Sequence, residues 1–279
     1  VRGILLTARR ICCLTWACLE YYRSQWSSVT PAHLESPFRW GAGYEKPWRQ
    51  NPRGTLYQPQ PIGPACWMEE QRVMRGFWRL QLLFEVNIAL SEGRLDWTLK
   101  DSQREITPDV LFQGWTWQRE EFLTVVDFVD YIQGGLILSS DSQCLPVPPK
   151  GYGSAEKWPD PVFPGVIDPR WLREEISRLQ PPSWMFYMAH IVRNPLSPIR
   201  GVPFWPYRQL GVTIWEEDKL EALEILSYKP HASKARSGPT STSDRIFTWR
   251  SLLSPELIAK LQMDMEEDFQ TNGFRFPDR

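Results

Sequence analysis

The sequence predicts a mainly α protein: an irregular helical domain with long loops rich in proline and tryptophan. Three observations carry this. Apolar residues recur at helical spacing, most plainly in Glu69–Leu90, where Val73, Phe77, Leu80, Phe84 and Ile88 follow at steps of four, three, four and four. No alternating run of strand length occurs beyond short pieces, and no repeat of fixed period. The 25 Pro and 15 Trp among 279 residues point to irregular segments pinned by large rings rather than by regular sheet.

Composition narrows the function classes. Hydrophobic residues make up 42%, enough for a real core in one large or two small domains. The formal net charge of −1 gives no global field that would draw in nucleic acid or an anionic membrane surface. The 5 cysteines are odd in number, with Cys12, Cys13 and Cys18 crowded together and Cys66 and Cys144 isolated. That is not a disulfide framework, and no N-x-[ST] site occurs; both point to an intracellular location, cytoplasmic or nuclear. Ile4–Leu19 is apolar but contains Arg9 and Arg10, is too short for a membrane span, and lacks signal-peptide order. The opening Val1 fits a fragment or a processed form.

In order along the chain, residues 3–25 predict a helix. Leu5, Ala8, Cys12, Trp16 and Leu19 share one face, widened by Ile4, Ile11, Cys18 and Tyr22. So broad an apolar face packs either on the rest of the chain or on another protein, which makes Leu5, Cys12, Trp16 and Leu19 candidate partner-binding residues. Thr30–Cys66 carries seven prolines that forbid long helix, yet Phe38, Trp40, Tyr44, Trp48 and Tyr57 make it too aromatic for a plain linker. It reads as an ordered loop over the helical body, or as a docking segment.

The Glu69–Leu90 helix ends at Gly93, whose freedom at positive φ suits that position. A second helix spans Trp117–Gln133, with Phe122, Val125, Val126, Val129 and Ile132 apolar and Gly134–Gly135 as its stop. The stripe Arg72, Arg75 and Arg79 on the first faces Glu120, Glu121, Asp127 and Asp130 on the second. The two helices are expected side by side, with Arg79 or Arg75 reaching a carboxylate.

Downstream, Cys144–Pro169 reads as coil. Asp168 and Pro169 open a helix to about Leu179, with Leu172, Ile176 and Leu179 inward. Ser183–Val192 is a short helix containing His190. Thr213 to Glu216 reads as a capping box for a helix reaching about Tyr228. His231–Asp244 is polar and disordered in expectation. A last helix, capped by Ser254, runs from Pro255 to about Phe269, with Ile258, Leu261, Met265 and Phe269 inward. The expected organisation is a helix at 1–28, a loop at 29–66 and a helical body at 67–279, with 229–245 a flexible loop.

Motifs for chemistry are scarce. There is no Walker loop, no G-x-S-x-G elbow and no H-E-x-x-H. Gly151 and Gly153 begin a dinucleotide fingerprint that lacks its third glycine and its strand–helix setting. Cys12, Cys13, Cys18 and His33 do not make a zinc site: adjacent cysteines on a helix point about 100° apart, so buried thiols are the simpler reading. Of the three histidines, His33 falls in coil and His231 in the polar tract. Only His190 is expected to be held rigidly, as a core residue rather than a general base. No catalytic residue, metal or cofactor is assigned, and an enzyme is the least favoured class.

Three stretches carry a resemblance. Glu69–Leu83 (EEQRVMRGFWRLQLL) resembles the E-x-x-R-I-x-R-A-F-x-R-x-x-L-x pattern of a large group of filamentous-fungal F-box or F-box-like proteins. Trp117–Tyr131 (WQREEFLTVVDFVDY) is similar to that group's acidic-aromatic helix, and Tyr207–Leu220 (YRQLGVTIWEEDKL) to its late L-R-x-x-G-x-x-x-W-D-x-x-R-L segment. The matches follow in the expected order. The L-P-x-E-(I/L)-like opening of an F-box is missing; residues 4–25 stand where its closing helices or a body helix would be. The resemblance implies a non-catalytic interaction module: a substrate-receptor subunit of a cullin-type ubiquitin ligase, with a Skp-type adaptor and a protein substrate as partners. The alternative is a helical scaffold with no ubiquitin role.

Overall fold

The structure, a computed structural model, describes residues 2–41, 46–95, 116–134, 144–152, 180–226 and 242–273. Its elements are α1 (Arg2–Gln25), β1 (Ala32–Leu34), a 3-10 turn (Pro47–Arg49), β2 (Gly54–Leu56), α2 (Trp67–Ser91), α3 (Thr116–Gln133) and α4 (Pro182–Phe186). A π-helical segment (Tyr187–Val192), α5 (Trp205–Arg208), α6 (Glu217–Ala222), α7 (Thr242–Ser251) and α8 (Pro255–Asn272) complete it. The protein is mainly α. The sheet among the described residues is the antiparallel β1–β2 ribbon, with Ala32 opposite Leu56 and Leu34 opposite Gly54. The chain forms two compact units, Val1–Ser24 with Pro64–Leu179, and Gln25–Gly63 with Gln180–Arg279. Residues 29–63 of the proline- and aromatic-rich loop fall in the second unit, and the chain passes from the first unit to the second after Leu179.

In the first unit, α1 is enclosed from Ile11 to Tyr22. Ile11, Leu14, Cys18 and Tyr22 are fully buried, and the Tyr22 hydroxyl donates to Thr124 O at 2.7 Å. Of the expected apolar face, Ile11, Cys18, Leu19 and Tyr22 are buried, whereas Leu5 is exposed and Ala8, Cys12 and Trp16 are half-buried. Thr15 is also fully buried and Ala17 nearly so, while Trp16 lies edge-on to Tyr152 at 5.2 Å.

The α2 stripe holds: Val73, Phe77, Leu80 and Phe84 are buried and Ile88 is half-buried. Burying each such side chain contributes about 1.5–3 kcal/mol. At the start of α2 the Glu69 carboxylate accepts from the Cys66 N–H at 2.8 Å. Cys66 occupies the N-cap of a capping box whose usual occupants are Ser and Thr. At its end the Arg94 N–H donates to Ala89 O and the Gly93 N–H to Leu90 O, with Gly93 at φ +63°. These are the two bonds of a Schellman motif. In α3, Phe122, Val125, Phe128 and Val129 are buried, Val126 and Ile132 are half-buried, and Gly134 follows at φ +69°.

In the second unit, the aromatic rings interlock. Trp249 lies 4.5 Å from Tyr207 and 5.2 Å from Phe186, and Trp184 lies 5.1 Å from Phe204. Two of the buried indoles find acceptors: Trp249 Nε1 donates to Ile225 O at 3.2 Å and Trp48 Nε1 to Glu266 Oε2 at 3.0 Å. The Ser254 hydroxyl caps α8 from Leu257 N, with Leu261 and Met265 buried and Ile258 and Phe269 half-buried.

Three expectations are corrected. Thr213 is a fully buried turn residue rather than an N-cap; Glu216 takes the cap, and α6 closes at Ala222, well short of Tyr228. Residues 242–245, expected within the flexible loop, open α7, whose Ile246, Phe247 and Trp249 are buried. His33 is not in coil but in β1. The helix expected at Pro169–Leu179 with its Asp168 cap, and residues 231–241, lie outside the described residues.

Candidate functional site

α2 and α3 run antiparallel, since Arg75 meets Glu121 and, a turn on, Arg79 meets the earlier Gln118. Arg75 Nη2 stands 2.6 Å from Glu121 Oε2, and Arg79 Nη2 donates to Gln118 Oε1 at 2.7 Å. Arg72 Nε lies 3.8 Å from Glu121 Oε1, and Glu120 lies 3.5 Å from Arg119. Of the two arginines expected to reach a carboxylate of α3, it is Arg75 that makes the close contact. Glu121 is only 3% exposed; burial pushes its carboxyl up, and the Arg75 and Arg72 charges pull it back. Burial, and next the charge of Arg75, draw Arg79 down. The cluster is an interior ion-pair network joining two helices.

Of the predicted partner-binding residues, Leu5 is exposed, Cys12 and Trp16 are half-buried and Leu19 is buried. The open part of α1 is its first turns, where Ile4, Leu5 and Leu6 are 67%, 64% and 61% exposed. Arg9 and Arg10 follow them, both exposed. Further along α1, burial raises the Cys18 thiol well above its ordinary value, and burial with the neighbouring Cys13 raises Cys12.

In the second unit the structure assembles a histidine–carboxylate pair that sequence reasoning missed. His33 Nε2 lies 2.6 Å from Glu224 Oε2, and its ring stacks on Tyr57 with centroids 4.0 Å apart. Burial, and then Glu224, push the Tyr57 hydroxyl far up; it donates to Leu223 O at 2.8 Å. No local signal pairs His33 with Glu224, because β1 and the end of α6 are distant in the chain. His190 sits in the π-helical segment, 4.8 Å from the Phe186 ring, and is drawn down by burial and then by Arg245. A further polar junction centres on Glu266. It accepts from Lys46 at 3.2 Å, Trp48 at 3.0 Å and Arg49 at 2.6 Å, which ties the 3-10 turn to α8.

Among the described residues, no three His, Cys, Asp or Glu side chains are grouped to hold a metal ion, and no helix is long and apolar enough to cross a membrane. Comparison with protein-family models, curated proteins and solved structures finds no match.

Proposed function

We propose that this protein is a non-catalytic protein-interaction module that docks a partner through the first turns of α1. One observation carries the reading: Ile4, Leu5 and Leu6 stand open to water on a helix that is enclosed from Ile11 onward. Adjacent large aliphatic side chains beside Arg9 and Arg10 make an apolar patch with a cationic rim, the composition of a contact surface.

The resemblance of Glu69–Leu83, Trp117–Tyr131 and Tyr207–Leu220 to the F-box-like group supports a finer reading. On it the partner is a Skp-type adaptor, and the protein is an intracellular substrate receptor of a cullin-type ubiquitin ligase. Such a receptor makes and breaks no bond; it raises the local concentration of a bound protein substrate near the ligase. The second reading is a helical scaffold with no ubiquitin role, in which the same open Ile4–Leu6 patch docks a different protein.

Titration calorimetry of the full chain against a purified Skp-type adaptor tests this. Saturable binding that is lost in a folded Leu5→Asp variant supports the receptor. Absence of binding by the wild-type chain overturns it and leaves the scaffold reading.

A further inference from the structure

The α6 helix is closed by the one non-glycine residue, among those described, with positive φ: Glu224, at +61°. The bonds are those of a Schellman end. The Ile225 N–H donates to Leu220 O at 3.1 Å and the Glu224 N–H to Glu221 O at 2.9 Å. Glu224 thus stands where glycine is normally found. Left-handed backbone is unfavourable for a residue with a Cβ, and it persists only where surrounding structure enforces it.

Nothing local calls for a stop. Residues 217–226 read EDKLEALEIL, with neither glycine nor proline, and Ala, Leu and Glu favour continuing the helix. The stop is imposed from elsewhere in the unit. His33, stacked on Tyr57, holds the Glu224 carboxylate at 2.6 Å. The Tyr57 hydroxyl takes Leu223 O at 2.8 Å, and Trp249 Nε1 takes Ile225 O at 3.2 Å. In a continuing helix those carbonyls would serve N–H groups one turn on.

We propose that residues 223–226 are a two-state element, locked in the broken form by His33 on Glu224 and running on as helix when that contact opens. Opening re-aims the backbone that leaves Leu226 and frees the His33 imidazole. A partner that engages His33 therefore shifts the balance by its differential affinity for the open form.

The test is the Cα chemical shifts of Leu223–Leu226 in the full chain. Glu224→Ala, which removes the carboxylate and prefers right-handed backbone, is expected to move them to helical values. His33→Ala is expected to do the same. Glu224→Gly, unstrained in the left-handed region, is expected to keep the wild-type pattern at Ile225 and Leu226, and adding His33→Ala to it changes nothing. If His33→Ala alone fails to fold, folding of His33→Ala/Glu224→Gly supports the lock, and equal failure of both overturns it. Wild-type or random-coil shifts in the folded Glu224→Ala and His33→Ala variants also overturn it.

Discussion

A Cβ built on Gly76 would fall 2.6 Å from Cγ2 of Val125. The backbones of α2 and α3 therefore meet at a point where no side chain fits. That approach sets the register in which Arg75 meets Glu121. Glycine in mid-helix is less favourable than alanine by about 1 kcal/mol, and here the contact accounts for it.

Gly76→Ala is expected to lower stability. Overpacking costs about 1–3 kcal/mol, more than the gain in helix propensity. In a double-mutant cycle by urea unfolding, Val125→Ala is expected to relieve much of the loss, because it removes the methyl that the new Cβ would meet. Strictly additive effects would show that the two positions are not in conflict.

Arg75→Ala is expected to destabilise more than Arg79→Ala. Removing Arg75 takes away the closest counter-charge of the buried Glu121 carboxylate, leaving Arg72 at 3.8 Å and the charge of Arg79 beyond it, a loss of about 3 kcal/mol. Arg79 donates to a neutral amide, and losing that bond costs about 1 kcal/mol. The reverse order in thermal unfolding would place the anchoring charge elsewhere.

Glu266 gives an acid limb to stability. Hydrogen bonds from Arg49, then Trp48, and also from Lys46, hold its carboxyl down to about 2, below the ordinary 4.5. A depressed carboxylate contributes stability that is complete above the ordinary value and disappears as pH falls through the folded one. The Tm difference between the wild-type protein and Glu266→Gln should be constant above about pH 4.5 and shrink toward pH 2. A difference that does not change with pH would mean the charge plays no part.

Cys66→Ser is expected to raise stability by about 0.5–1 kcal/mol. The hydroxyl is a better acceptor than sulfur for the Glu69 N–H, while the Glu69 carboxylate keeps its bond to residue 66. Chemical unfolding measures the gain; a loss would show that the thiol is needed for packing.

Much of the fold was legible in the sequence where one face of a helix decides. The ends of α2 and α3 at Gly93 and Gly134, the inward set Val73–Phe77–Leu80–Phe84 and the Ser254 cap of α8 all follow from periodicity and end chemistry. The Arg75–Glu121 junction was legible as two complementary stripes. Legibility was partial in α1, where the open first turns were grouped with the enclosed Ile11–Tyr22 face, and it failed where the stop is external, as in α6. α7 was masked by the polar residues before it.

By itself the sequence determined a mainly α chain and which of its long segments are helices, because spacing and capping act within a few residues. The tertiary structure alone decided that residues 29–63 join the C-terminal unit, that α1 leaves Leu5 open and Trp16 half-buried, and that Glu224 adopts left-handed backbone against His33. Those outcomes depend on contacts between residues far apart in the chain, and their energies override local preference.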